Sequence, residues 1–536
     1  MRLPLLKSKG DTAKTTTSDA TSQDAMITPA PVPDSVQSLG IRIHNRTVKD
    51  LLAVSSVGAL VSQSTYTSSS INPNTRIKDT KTGNVFSVRK TPVLVAAKSY
   101  ADLPPIDIAA STAASSKGYV VDLSILAKGA PVGTGLSASV AAPAPVSTAT
   151  TPASNASSAS DNKTPLARRW KKLDLSAASQ AGEKTSTLTL DSVYALQSIP
   201  TSPTDVVHIL LLTARPTSDW MSTLPDTDPL SSLCIPATHE SCALYGWPIS
   251  TCQESSASVA AQLARGIRYL DVRLSLKADP ATTPNQLLYA YHGVSDQKIE
   301  FGVILQQVYD FLAKNPREAV FVSVKQENAI QGFRDVVLDT YVAPNRGKWY
   351  LGVNVPKLGE VRGKIVLVSR FGKSNEQPGG IHPLIWPDSS SSIFSYQLPS
   401  SQTVLTQDWY NISSLSSIPA KLALVAQLFQ QAGHLPDVLA LNFTNASSFP
   451  FALPPFAAKG LGDQTREPDA AAKKSCFQVL GINALLVDLL ADRLKLDTKA
   501  ANLQRAGLMN VVGLDFYDQD GLGADLAGLL IDANFV

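Results

Sequence analysis

The stretch LCIPATHES, residues 233–241, runs from an apolar segment straight into Thr238, His239 and Glu240. A short apolar run closed by polar residues reads as a strand buried on both faces that delivers its last side chains to a surface. Seven more runs of this kind follow: YLDVRLSL (269–276), LLYAYHG (287–293), AVFVSVKQ (319–326), KIVLVSR (364–370), TVLTQDWY (403–410), VLALNF (438–443) and VVGLDF (511–516). Helical patterns separate most of them, for example SASVAAQLARGI (256–267), FGVILQQVYDFLAKN (301–315), IPAKLALVAQLFQQAG (418–433) and QVLGINALLVDLLADRL (478–494). Strands alternating with helices predict crossover units and a parallel sheet. Eight such strands predict an α/β domain over residues 219–536, a (β/α)8 TIM-type barrel.

The polar residues fall at corresponding places. His239 and Glu240 end the first run, Asp271 and Arg273 the second, and His292 the third. Lys325, Arg370, Asp408 with Tyr410, Asn442 and Asp515 end the runs that follow. In a barrel of this kind the carboxyl ends of the strands converge on one mouth. Two imidazoles there can divide proton acceptance and donation, because imidazole titrates near neutral pH. Arg273 and Lys325 suit a phosphate, one as a fork and the other as a point charge. Together they predict cleavage of a phosphodiester, with charge on the non-bridging oxygens neutralised by the cations.

The rest of the chain is different in texture. The sequence has 536 residues and only 17% charged positions, with a net charge of +3. This length predicts more than one domain, and the weak charge without basic runs excludes a general nucleic-acid binder. Residues 1–36 are rich in Thr, Ser, Ala, Asp and Pro and are expected to be disordered. Residues 37–215 hold short β-branched runs such as IRIHNRTV (41–48), KGYVVDLSIL (117–126) and VVHILLLTA (206–214), which predict a β-rich domain, best read as a sandwich. A low-complexity segment, 137–164, is expected to be a mobile insertion within it. His44 and His208 belong to this region and read as structural; His382 and His434 read as loop or helix-end residues.

No apolar run is long enough for a signal peptide or a spanning helix, so the expected location is cytoplasmic and peripheral at membranes. The sequons at Asn411, Asn442 and Asn445 weigh little against this. Four cysteines, Cys234, Cys242, Cys252 and Cys476, fit no zinc spacing. A Cys242–Cys252 disulfide is conceivable, and reduced thiols are the expected state in an intracellular setting.

The stretches WMSTLPDTDPLSSLCIPATHES (220–241), QLARGIRYLDVRLS (262–275), YHGV (291–294), NPREAVFVSVKQEN (315–328), RGKIVLVSRF (362–371) and QDWYN (407–411) resemble, in order, the X domain of bacterial-type phosphatidylinositol-specific phospholipase C. The resemblance runs from about Trp220 to the C-terminus. It implies that His239 is the base that deprotonates the inositol 2-hydroxyl and His292 the acid that protonates the diacylglycerol oxygen. It implies that Asp515 orients the base, and that Arg273 stands where the calcium-dependent branch holds its metal. Lys325, Arg370, Asp408 and Tyr410 are then expected to form the inositol-binding wall. Asp271 is expected to position Arg273, and Glu240, where relatives usually carry Asp, to support His292. No metal and no cofactor is expected.

The expected partner is a phosphoinositide-type lipid at a membrane surface. The loop SSFPFALPPFAAKG (447–460) and Trp247 offer apolar anchors or, equally, packing against the protein. Two alternatives stay open. One is a related barrel phosphodiesterase acting on glycerophosphodiesters or sphingolipids. The other is a catalytically weak lipid-binding module.

Overall fold

The computed structural model describes residues 37–47, 51–59, 76–78, 85–87, 93–108, 119–127, 136–142, 168–177, 193–200, 205–277, 287–372, 379–433, 435–462, 478–496, 505–520, 522 and 524–536. The expectation for residues 1–36, His434 and Cys476 lies outside them.

Ten of the strands that precede residue 214 build two sheets: β1 (Gln37–Asn45), β2 (Leu51–Ala59), β3 (Val93–Val95), β4 (Ser99–Ile108), β5 (Tyr119–Ala127), β6 (Leu136–Ala142), β7 (Trp170–Leu173), β8 (Ser176–Ala177), β9 (Val193–Ser198) and β10 (Val207–Thr213). They form two five-stranded sheets, ordered β4-β1-β10-β9-β7 and β8-β6-β5-β2-β3. Ile41, Ile43, Ile209 and Leu211 of one sheet share a buried core with Ala53, Leu123, Ile125 and Val140 of the other. Alternation in β1, which buries Ile41 and Ile43, and in β5, which buries Leu123 and Ile125, gives each sheet one face to bury. The start of the 137–164 segment departs from its expectation as a mobile insertion. Strand β6 pairs along β5 and buries Ala138 and Val140, because its LSASVAA pattern alternates despite its low complexity. Residues 143–164 lie outside the described residues.

The second part begins after residue 219. Its longer strands are β11 (Ile235–Thr238), β12 (Tyr269–Lys277), β13 (Leu287–His292), β14 (Ser295–Glu300), β15 (Val320–Gln326), β16 (Ile365–Arg370), β17 (Phe394–Gln397), β18 (Thr403–Gln407), β19 (Leu439–Phe443) and β20 (Val511–Leu514). Seven of them run parallel in the order β16-β15-β12-β11-β20-β19-β18; the two-residue strand Trp349–Tyr350 adds an eighth parallel member on the outer edge of β16, and β17 lies antiparallel on the β18 edge. The sheet curls. Val366 and Val368 from one end, Val404 from the other, and Tyr269, Phe321, Leu441 and Val511 between them belong to one buried cluster. Helices cover the outside, including α1 (Val259–Ala264), α2 (Phe301–Lys314), α3 (Ile418–Ala432), α4 (Ile482–Leu494) and α5 (Leu526–Asp532).

Two features differ from the expected eight-stranded parallel ring. First, LLYAYHG is not a parallel strand. Strand β12 is nine residues long and passes the point where β15 ends its pairing, and β13 returns antiparallel against Leu274–Lys277. A hairpin partner satisfies the backbone of the projecting end of β12, so no crossover is needed there. Second, among the described residues β16 and β18 do not pair with each other. Val368 of β16 bridges instead to Ile381, in the long connection between them.

The two parts are joined through α4. The Arg46 guanidinium donates to the carbonyls of Leu494, Lys495 and Leu496, at 2.8, 2.9 and 2.5 Å, where a helix end leaves acceptors unpaired. Asp488 accepts from Arg168 Nε and from the backbone N–H groups of Arg169 and Trp170. All the partners of Asp488 here are held at the foot of β7, so this carboxylate fixes the first sheet against the helix.

Candidate active site

The parallel register sets the site. Arg273 lies opposite Lys325 across β12 and β15, and Lys325 lies opposite Arg370 across β15 and β16. Three cations therefore stand abreast on adjacent strands. They line one cavity with Phe371, Gly372, His382, Trp386, Asp388, Asp408 and Tyr410.

His239 follows β11 and is buried. Its Nδ1 lies 2.8 Å from Asp515 Oδ1, just past the end of β20. Its Nε2 lies 2.9 Å from Arg273 Nη2 and 3.2 Å from Asn445 Nδ2. A guanidinium can only donate, so Nε2 is the unprotonated nitrogen and Nδ1–H donates to Asp515. Burial, reinforced by the Arg273 charge, holds His239 well below the usual imidazole range. Burial, with Glu240 close by, raises the Asp515 carboxyl well above its ordinary value. Both shifts disfavour a preformed imidazolium, so His239 is held neutral, with its Nε2 lone pair facing Arg273 and Asn445.

Arg273 is the hub. Its Nη1 lies 2.6 Å from Glu240 Oε1 and 3.7 Å from Glu327 Oε1, and its Nε lies 3.2 Å from Asp271 Oδ2. Burial works against its charge, but Glu240, Asp271 and Glu327 outweigh burial and raise it. The Asp271 carboxylate also accepts from Arg370 Nη1 at 3.1 Å and from the Glu240 N–H at 3.2 Å. Although burial opposes its charge, Arg273 and Arg370 hold Asp271 well below the usual carboxylate range. The Glu240 backbone has a positive φ of 42°, a sparsely populated conformation, at the turn that aims this side chain inward.

His292 reaches the mouth from the hairpin. Because β13 runs back toward the rim, its last residue descends to the level of Arg273, and His292 Nε2 lies 3.6 Å from Glu240 Oε1. The ring is about one-quarter exposed, unlike His239. Lys325 Nζ donates to Glu327 Oε1 at 3.0 Å. Burial and the Arg273 charge lower its pKa.

The far wall is built on Trp386. Its indole lies 3.6 Å beneath the Arg370 guanidinium, and its Nε1–H donates to Asp408 Oδ2 at 2.9 Å. Asp408 Oδ1 is buried without a hydrogen-bond partner among the described residues. Tyr410 donates to Asp388 at 2.6 Å, and partial burial together with that carboxylate pushes its hydroxyl up to about 12. Lys421, wholly buried on α3, donates to Gln407 Oε1 and to the Trp409 carbonyl, and so braces both residues that flank Asp408.

Every residue singled out from the sequence as catalytic or substrate-binding is thus gathered around this mouth. Sequence reasoning missed Asn445, Glu327, Trp386 and His382. Glu327 was legible as the acid two residues beyond Lys325. Trp386 and His382 lie in a long connection with no period to place them. Asn442 and Asn445 were read as chance sequons; both are buried, which closes them to glycosylation in the folded chain. Cys234, Cys242 and Cys252 are free and buried.

Around the rim, Tyr245, Trp247, Ile249, Phe449 and Phe451 are all more than half exposed. Leu453 and Phe456, in the same loop as the two phenylalanines, are partly buried. Among the described residues no helix is long and apolar enough to cross a membrane.

Residues 227–371 match the family model described as phosphatidylinositol-specific phospholipase C, X domain. A 1-phosphatidylinositol phosphodiesterase of Listeria monocytogenes is 29% identical over 253 residues, covering 45% of this chain and 72% of that protein. A PI-PLC X domain-containing protein 3 of Danio rerio is 31% identical over 144 residues, covering 21% of this chain and 43% of that protein. Among solved structures, a mutant of the phosphatidylinositol-specific phospholipase C of Staphylococcus aureus is similar with a TM-score of 0.46 and 22% identity, covering 60% of this chain and 97% of that one.

Proposed function

We propose, from the premise that this chain is a bacterial-type phosphatidylinositol-specific phospholipase C X-domain protein, that it cleaves phosphatidylinositol-type lipids without a metal. His239 takes the proton of the inositol 2-hydroxyl, and that oxygen forms a bond to phosphorus. The bond from phosphorus to the glycerol oxygen breaks, and His292 gives that oxygen its proton. The products are diacylglycerol and a cyclic inositol phosphate. The attacking hydroxyl is on the same ring as the phosphate, so much of the entropic cost of bringing them together is absent from the start.

The observation that carries this reading is the placement of Arg273. It reaches the lone-pair nitrogen of His239 with one arm and Glu240, the neighbour of His292, with the other. A phosphate between the two imidazoles would meet that guanidinium, with Lys325 alongside. The same guanidinium fills the space among Glu240, Asp271 and Glu327 that a calcium ion would need, which supports metal independence. The unpartnered oxygen of Asp408, with Trp386 and Arg370, supports a wall that takes ring hydroxyls. A sugar carrying further phosphates would meet the carboxylates of Asp408 and Asp388 and is expected to be disfavoured.

The curled sheet is a TIM-type barrel in which, among the described residues, Trp349–Tyr350 on the β16 side does not pair with β18, and residues 37–215 are a β-sandwich domain docked on it. The exposed rim residues Trp247, Phe449 and Phe451 are assigned to peripheral contact with the lipid surface.

The test is release of cyclic inositol phosphate from phosphatidylinositol vesicles in the presence of chelator. Wild type should release it, and His239→Ala and His292→Ala should each lose about 10²–10⁴ in rate. Loss of wild-type activity on chelation, restored by calcium, would overturn the metal-independent mechanism.

A further inference from the structure

One side of the mouth has chemistry that this reaction does not use. Cys252 follows β11 in a loop tied down at both backbone groups, its N–H donating to the Ala243 carbonyl and its carbonyl accepting from the Phe516 N–H. Its thiol is buried and lies 4.0 Å from His292 Nδ1. Ligand atoms of Glu240, Cys252 and His292 all lie within 4.8 Å of one another. A second set, His239, Cys252 and Asp515, shares the same sulfur and meets the same limit. The two oxygens of Glu240 are unequal. Oε1 lies beside Arg273 and His292, whereas Oε2 is buried with no hydrogen-bond partner among the described residues.

A thiolate, an imidazole and a carboxylate make a ligand set for zinc or cadmium, and a poor one for calcium or magnesium, which prefer oxygen alone. We propose that Glu240, Cys252 and His292 form an inhibitory site for a thiophilic divalent cation, which shuts the mouth by tying up the residue assigned as general acid. The inhibition rests on the catalytic role proposed above for His292; the binding does not. Coordination breaks the S–H bond, forms a sulfur–metal bond and releases one proton to solvent. Small inward movements of the three side chains bring them to the distances zinc adopts, about 2.0–2.3 Å.

Cadmium titration of the full chain separates the two claims. Wild type should develop the ultraviolet charge-transfer band of a cadmium–thiolate bond at one equivalent, and zinc should inhibit cleavage until chelator is added. Cys252→Ser and Cys252→Ala should cleave the lipid at the wild-type rate. They should lose the band and bind cadmium more weakly by over about tenfold, a loss that even an outer-shell partner can cause. Cys242→Ala should behave as wild type. A band without inhibition would keep the site and overturn its effect on His292. An absent band in wild type, or equal zinc inhibition in both Cys252 variants, would overturn the proposal.

Discussion

Glu240 Oε1 lies 2.6 Å from Arg273 Nη1 and 3.6 Å from His292 Nε2, so a single oxygen faces both the phosphate-binding cation and the second histidine. Aspartate, one methylene shorter, would not span both from the same backbone position. Glu240→Asp should therefore keep substrate binding, since Asp271 and Glu327 still hold Arg273, and lower kcat by about tenfold or more. Steady-state kinetics on vesicles of fixed composition decide it. A large rise in KM with unchanged kcat would place Glu240 in binding instead.

The Asp515 carboxylate sets which nitrogen of His239 carries the proton. In Asp515→Asn the amide can donate to Nδ1 and turn the imidazole to the tautomer that cannot accept at Nε2. The loss in kcat should be about 10²–10⁴, with near-ultraviolet circular dichroism unchanged.

The acidic limb of the kcat/KM profile should lie below pH 6.5, because burial and Arg273 hold His239 below that value. A base works unprotonated, so a depressed pKa extends activity toward acid. Arg273→Met removes one of the two causes. Its residual activity should fall away at a higher pH than that of wild type.

Trp386→Phe keeps a ring beneath Arg370 and removes the N–H that binds Asp408. Hydrogen bonds to charged groups contribute about 1.5–3 kcal/mol, so kcat/KM should fall by about tenfold or more. Phenylalanine that matched wild type would mean that stacking alone matters at this position.

Phe449 and Phe451 are 73% and 72% exposed at the rim. Replacing both with Ser should weaken vesicle binding by about tenfold or more, since each buried aromatic contributes about 1.5–3 kcal/mol. Cleavage of a water-soluble inositol phosphodiester should not change. Unaltered vesicle pelleting would assign these rings to something other than the lipid surface.

Much of the site could be read from the chain because it is set by strand ends. His239, Asp271, Arg273, Lys325, Arg370 and Asp515 each close or follow an apolar run, and parallel register then brings those ends together. Reading by strand ends failed where order in sequence and order in space separate. LLYAYHG has the composition of a parallel strand, and nothing local records that its partner is the projecting end of β12. Trp386 could not be found because its position depends on a connection that fills the gap between β16 and β18. Asn445 lies two residues past β19, where its tripeptide looked like a glycosylation signal. Composition hid β6: its Ser and Ala content reads as low complexity, although LSASVAA alternates and pairs along β5.

The returning course of β13 makes the distance between the two histidines a matter of register. His239 is fixed by the body of the sheet, whereas His292 is fixed by how β13 is threaded against Leu274–Lys277. A slip of one residue would turn His292 to the opposite face of the hairpin and leave every other side chain of the mouth in place. The hairpin is therefore the molecule's calibration. A single residue added between Leu287 and His292 should silence the enzyme without unfolding it.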